Sequence, residues 1–338
     1  MPKIVNTNVV RVPMSNHQFS IYNDARINER KEHKRKKKKL EDETSSTYRI
    51  FSRAFCNFVF PSEIRRPMPN DKILEDTGEA GGDAGAGAGE TGAVEVELLD
   101  TGGGESKKNT FKVKDFNKDA VHFFNEGGIE SDVKLIDADD SKQPDRASKA
   151  ALYLERIQFA LQKLATNGET YLSGDGLQQL SPKFHKVIDI INDVENRGTH
   201  LIYSNFRTIE GIGILKLVLE ANGFVQLKIG KNKTSSNKAI YPEIPINEYV
   251  ITNLEEVRAN DSFALFTGTE TVEVKDITRL IFNSQWDKLN PFIKVQLNTI
   301  HSNNYYGEIA KCFMITSAGA EGITLKNTRY VHLIEPYC

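Results

Sequence analysis

A short apolar run, KCFMIT (311–316), passes directly into Ser317, Ala318, Gly319, Ala320, Glu321 and Gly322, and a second run, YVHLIE (330–335), follows closely. The first run has a strand pattern, and the second reads as another buried strand. Between them, small side chains and two glycines let the backbone come close to a ligand, with N–H groups free to point at phosphate oxygens. Strand, phosphate-compatible turn and strand together constrain the chain to an α/β fold, with the turn at the carboxyl edge of a sheet. On spacing alone, a tight turn in an unrelated α/β protein is an equal reading.

Composition narrows the classes. The chain has 338 residues, 39% hydrophobic and 27% charged, long enough to bury a sizeable core in one large domain or two small ones. No apolar run approaches the ~18 residues of a membrane span, and the N-terminal stretch has no long apolar region of secretory type. Cys56, Cys312 and Cys338 are odd in number and far apart, which excludes a disulfide scaffold and a CxxC zinc site and fits a reducing compartment. The histidines form no HxxxH or HExxH pair and read as structural or surface residues.

The full string around the small-residue turn discriminates further. ITSAGAEGITL (315–325) followed by VHLIEPY (331–337) resembles motif V of superfamily 2 helicases. The form is that of large DNA viruses of eukaryotes, whose early-transcription-factor and helicase subunits (poxvirus, asfarvirus and giant-virus type) carry it. HLIYSNFR (200–207) resembles motif IV, and SPKFHKVIDII (181–191) resembles the helix leading into it. Val12, Met14, Ser15, Gln18 and Tyr22 match the segment that follows the first RecA-like domain in helicases and Swi/Snf-type remodellers. An FSR–CNFVFP–RP string within 48–69 is also similar, and its dense apolar residues read as packing. The resemblance covers roughly 5–70 and 150–337 and is most specific over 263–337.

The resemblance implies a RecA-like, mostly parallel sheet flanked by helices, the C-terminal half of an ATP-dependent nucleic-acid helicase or translocase. It implies nucleic-acid contacts for Thr316, Ser317, Gly319 and Gly322, with Ser204, Asn205 and Phe206 as further contacts. Glu321 and Thr324 would face the ATP cleft. The implied partners are nucleic acid, DNA ahead of RNA, and either the missing N-terminal RecA-like domain or a split partner chain. An intracellular site follows: viral factory, virion or nucleus.

Several parts of such an engine are absent from the sequence. No G-x-x-x-x-G-K-[ST] loop and no Walker B Asp-Glu pair occur, so phosphate neutralisation and magnesium binding have no candidates. The family's motif VI arginines would follow an EPYWNP string, whereas here Cys338 follows Tyr337. The expectation is a chain truncated before motif VI, with no catalytic or metal-ligating residue, inactive alone. ATP and Mg would bind only in a complete two-domain enzyme. The alternative is a non-enzymatic nucleic-acid-binding or transcription-regulatory module that keeps the fold. An unrelated Rossmann-like enzyme would need a GxGxxG fingerprint that the sequence lacks.

The rest of the chain sets boundaries. Residues 26–39 hold nine Lys or Arg against two Glu, first of all a solvated helix end, alternatively a nuclear-localisation signal or nucleic-acid contact. Residues 75–105 hold nine acids and ten glycines with no Lys or Arg, a composition expected to be disordered. The expected organisation is a connector with the basic run (1–70), a poorly structured linker (71–146) and the RecA-like domain (147–338). Within the last, 147–165 has a helical pattern. Ser181 and Pro182 start an amphipathic helix on Phe184, Val187, Ile188 and Ile191. FALFTG (263–268) is a further strand, and 226–260 reads as a polar insertion.

Overall fold

A computed structural model describes residues 4–38, 50–68, 143–268, 270–320 and 322–335. The Gly- and acid-rich stretch, most of the linker, Glu321 and Cys338 lie outside the described residues. Long helix α1 (Asn16–Lys38) begins where the Ser15 hydroxyl accepts from Gln18 N at 2.9 Å, an N-cap. The residues before it, 4–15, form no regular element. Short helix α2 (Ile50–Phe55) packs against α1.

Helices α3 (Gln143–Thr166), α4 (Gly168–Tyr171), α5 (Gly174–Leu180) and α6 (Pro182–Asn192) precede the sheet. In α6 the Ser181 hydroxyl accepts from Phe184 N at 3.1 Å and Pro182 opens the first turn, while Phe184, Val187, Ile188 and Ile191 are buried. Strand β1 (Thr199–Tyr203) then leads through a long connection into α7 (Ile212–Ala221) and β2 (Val225–Gln226). The polar insertion is an antiparallel pair, β3 (Ile229–Lys231) and β4 (Tyr249–Ile251), followed by α8 (Leu254–Ala259). Strand β5 (Ser262–Phe266), helices α9 (Val272–Phe282) and α10 (Pro291–Asn298), strand β6 (Cys312–Ile315), one helical turn α11 (Ser317–Ala320) and β7 (Thr328–Leu333) complete the order.

The sheet runs β2-β5-β6-β1-β7, and every pairing in it is parallel. This is the α/β architecture expected, a parallel sheet between helical layers. Strand alternation sends side chains to two cores. Ile202, Phe263, Cys312 and Met314 join one with residues of α3, α5, α6 and α7 and with Ala54, Phe58, Val59, Phe60 and Ile64. Ala264, Phe266, Phe313 and Ile315 join the other with Ile281, Phe282, Ile293 and Leu297. Residues 50–68 thus belong to the same core as the sheet.

Strand β7 differs from the expected buried strand. It pairs only with β1, at the edge, and its residues alternate between half-buried and exposed. Val331 and Leu333 stand beside Leu201 and Tyr203 and are 57% and 60% exposed. The reason is layer geometry. Helices α9 and α10 cover β5 and β6, and no described helix covers that face of β7.

Candidate nucleic-acid interface

Because all five strands are parallel, the residues after β5, β6, β1 and β7 share one edge. Ser204 N donates to Ile315 O at 3.2 Å, so the exits of β1 and β6 are adjacent there. The order along the edge is Thr267, Thr316–Ser317, Ser204–Asn205, then Ile334–Glu335. Two distant stretches, 204–205 and 316–317, are therefore neighbours.

Thr316 is 3% exposed, and its Oγ1 has no hydrogen-bond partner among the described residues. Ser317 is exposed at the start of α11. Gly319 is buried in that turn, and a Cβ there would lie 2.4 Å from Phe266 O and 2.9 Å from the Phe266 ring. Close packing of α11 on the end of β5 thus requires this glycine. We expect Gly319→Ala to destabilise the fold by about 1–3 kcal/mol through overpacking. An unchanged urea midpoint would show that the contact is slack.

Gly322 has φ +73° and open space around it, so the left-handed backbone is what favours glycine there. From Gly322 the chain leaves the edge. Thr324 O accepts from Asn283 Nδ2 at 2.8 Å, and Lys326 N donates to Asn283 Oδ1 at 2.7 Å. Asn283 ends α9, whose Phe282 O shares the Asn304 amide with Ala310 O near the start of β6. Thr324 is therefore carried toward the opposite, amino edge, with its side chain exposed, and is not part of the row. Glu321 lies outside the described residues.

The turn after β1 is a cluster of donors around a carboxylate. Ser204 Oγ donates to Glu335 Oε1 at 2.8 Å and Asn205 N donates to Glu335 Oε2 at 2.7 Å. The Asn57 amide donates to the same Glu335 Oε1 and, at 2.8 Å, to Glu210 O. Lys183 Nζ donates to Asn57 Oδ1 at 2.8 Å and to Ile334 O at 3.2 Å. Burial pulls the Lys183 ammonium below its ordinary pKa, against the attraction of Cys56 and Glu335. Phe206 supplies backbone more than side chain: its N donates to Ser204 Oγ at 3.1 Å and its O accepts from Ile212 N at 2.9 Å. The Arg53 guanidinium lies 5.8 Å from the Phe206 ring centroid.

The connection that carries these donors is itself packed away: Arg207, Thr208, Ile209 and Glu210 are all buried. Glu210 pairs with Arg66, whose Nη2 donates to Oε2 at 3.0 Å. Residues 57–66 thus act as a strap that fixes the turn. Asn57, Lys183 and Glu335 escaped the reading of the sequence, although each left a trace. Asn57 is a lone polar residue inside an apolar run. Lys183 is a cation in the first turn of a helix, where the dipole disfavours positive charge. Glu335 is an acid closing an apolar strand.

Chemically the edge offers hydroxyl, amide and backbone donors with one half-buried ammonium, a set suited to anionic oxygens. Among the described residues no three His, Cys, Asp or Glu side chains are placed to hold a metal, and no helix is long and apolar enough to cross a membrane.

Comparison with known proteins points to viral helicases. The chain is 23% identical over 350 aligned positions, covering 97% of it, to a protein of Acanthamoeba polyphaga mimivirus named "Putative ATP-dependent RNA helicase", and spans 34% of that relative. It is 28% identical over 183 residues, 54% of the chain, to a termination factor NPH-I homolog of African swine fever virus isolate Pig/Kenya/KEN-50/1950, and spans 23% of it. The homolog from isolate Tick/South Africa/Pretoriuskop Pr4/1996 is 26% identical over 186 residues, 53% of the chain and 25% of the relative. The chain therefore spans about a quarter to a third of the length of the curated relatives it matches. No family model matches, and no solved structure matches.

Proposed function

We propose that this chain is the nucleic-acid-contacting C-terminal RecA-like part of an ATP-dependent viral helicase or translocase. One observation carries the reading: the turn at the carboxyl edge already coordinates an anion, the Glu335 carboxylate, through Ser204 and the Asn205 N–H. Beside it stands the buried, unpartnered Thr316 hydroxyl. Backbone phosphates of a single strand would take these donors in succession, with exposed Ser317 next in line. The similarity to viral helicases supports the same assignment.

The engine also needs parts this sequence lacks. A phosphate loop and magnesium carboxylates must come from another domain, in the same or a second polypeptide, before ATP and Mg can be used. The chain alone should release no phosphate from ATP when saturated with single-stranded DNA.

The direct test is fluorescence anisotropy on labelled single strands, with DNA as the preferred strand and RNA of the same sequence as the comparison. Few phosphates are neutralised, so the affinity should be modest and its salt slope shallow. Thr316→Val keeps the shape and removes a hydrogen bond to a charged group, a loss of roughly tenfold in affinity. An unchanged affinity in that variant would remove Thr316 from the interface. Absence of binding to either strand in both this protein and its Glu335 variants would refute the reading.

A further inference from the structure

The anion at the turn is supplied by the protein itself, and its surroundings reach beyond the two residues legible in the sequence. Glu335 receives donors from three places: the strap (Asn57), the exit of β1 (Ser204) and the backbone of Asn205. Lys183 Nζ stands behind them, held by Asn57 Oδ1 and by the carbonyl of the residue before Glu335. Ser204 and Asn57 are both fully buried, so this is a shaped seat and not a chance surface contact. Two carboxylate oxygens on a hydroxyl, a side-chain amide and a backbone N–H reproduce the way protein donors hold the two free oxygens of a phosphodiester.

We propose that Asn57, Lys183, Ser204 and Asn205 form a single phosphate seat, and that the Glu335 carboxylate fills it until a nucleic-acid phosphate displaces it. The proposal rests on the nucleic-acid reading above and adds two binding residues and an internal competitor to it. Displacement has a physical driving force. A nucleic-acid strand brings a row of negative charges to an edge where one carboxylate now satisfies the donors. The Lys183 ammonium is stabilised by whichever anion sits there, so it does not oppose the exchange. With Glu335 in place, the seat stays satisfied when no strand is bound, and a loosely matching anion must compete with a tethered carboxylate.

The experiment compares single-strand binding by the full chain and its Glu335→Gln and Lys183→Met variants across a salt series. Glu335→Gln removes the competing charge at constant shape, and we expect binding about 3–10-fold tighter, the order of one relieved charge contact. Lys183→Met should bind more weakly and lower the salt slope by about one, since one phosphate-neutralising cation is gone. Tight binding by Glu335→Gln with little by the parent protein would also support the proposal. Affinity in Glu335→Gln that is unchanged or weaker, with Thr316→Val still impaired, would overturn the competitor and leave the proposed function standing. Loss of binding in every protein, parent included, would instead remove both. Should Glu335→Gln fail to fold by circular dichroism, Lys183→Met carries the test, and an unchanged salt slope there overturns the seat.

Discussion

Arg66→Ala is expected to cost about 3–5 kcal/mol of stability, the usual penalty for leaving one charge of a buried pair uncompensated. The side chains of Arg66 and Glu210 are 9% and 2% exposed, so neither group can turn to water when its partner goes. Arg66 is also held by Pro67 O at 2.8 Å and lies 5.1 Å and 5.6 Å from the ring centroids of Phe51 and Phe55. Its loss removes packing as well as charge. Against a typical stability of about 5–15 kcal/mol the effect is large. Urea denaturation reads it as a lowered midpoint. The double variant Arg66→Met with Glu210→Met should recover most of the loss, because a buried pair replaced by apolar residues of similar volume is often neutral. A loss under about 1 kcal/mol in Arg66→Ala would mean that water reaches the pair. Because Glu210 sits in the connection that carries Ser204 and Asn205, the same variant should weaken single-strand binding before the fold is lost.

The contrast between what the sequence made legible and what it hid follows a physical line. Local signals carried well: Ser181 with Pro182, the spacing of Phe184, Val187, Ile188 and Ile191, and the apolar runs of β5 and β6 all depend on a few adjacent residues. The small-residue turn pointed to the correct edge, but the reasons for its glycines differ from residue to residue. Gly319 is required by the Phe266 carbonyl across the sheet, and Gly322 by its own backbone angle. Neither reason is written in the spacing. Edge status of β7 was hidden for the same cause: Tyr330, Val331, Leu333 and Ile334 give it the look of a buried strand, and only strand order decides which neighbour it lacks. The polar cluster was the least legible. Asn57 and Glu335 are 278 positions apart, and no local pattern can announce a contact set by the fold of everything between them.

A second large effect is expected from acid, through the two histidines that join β1 to β7. His200 Nδ1 and His332 Nε2 lie 2.9 Å apart, and Tyr330 stacks on His200 with ring centroids at 4.7 Å. One ring nitrogen donates and the other accepts, an arrangement that requires at least one neutral ring. Burial, then the neighbouring His332, lowers His200 from 6.5 to about 4, and burial alone lowers His332 from 6.5 to about 4. In the unfolded chain both return to the ordinary value, so as pH falls the unfolded state takes up protons first. The stability tied to the neutral pair is therefore whole above pH 6.5 and is lost as pH falls from 6.5 toward 4. By linkage the loss reaches about 2 kcal/mol for each ring at pH 5. Urea midpoints at pH 7.5 and pH 5 measure it. Carboxylates of the whole protein add their own slope, so the decisive comparison is His332→Gln, which keeps a hydrogen-bonding partner for His200 but cannot be protonated. Its midpoint should fall less between the two pH values than that of the parent protein. Equal falls in both would show that the pair takes up protons without cost, and that β7 is held to β1 by its backbone ladder alone.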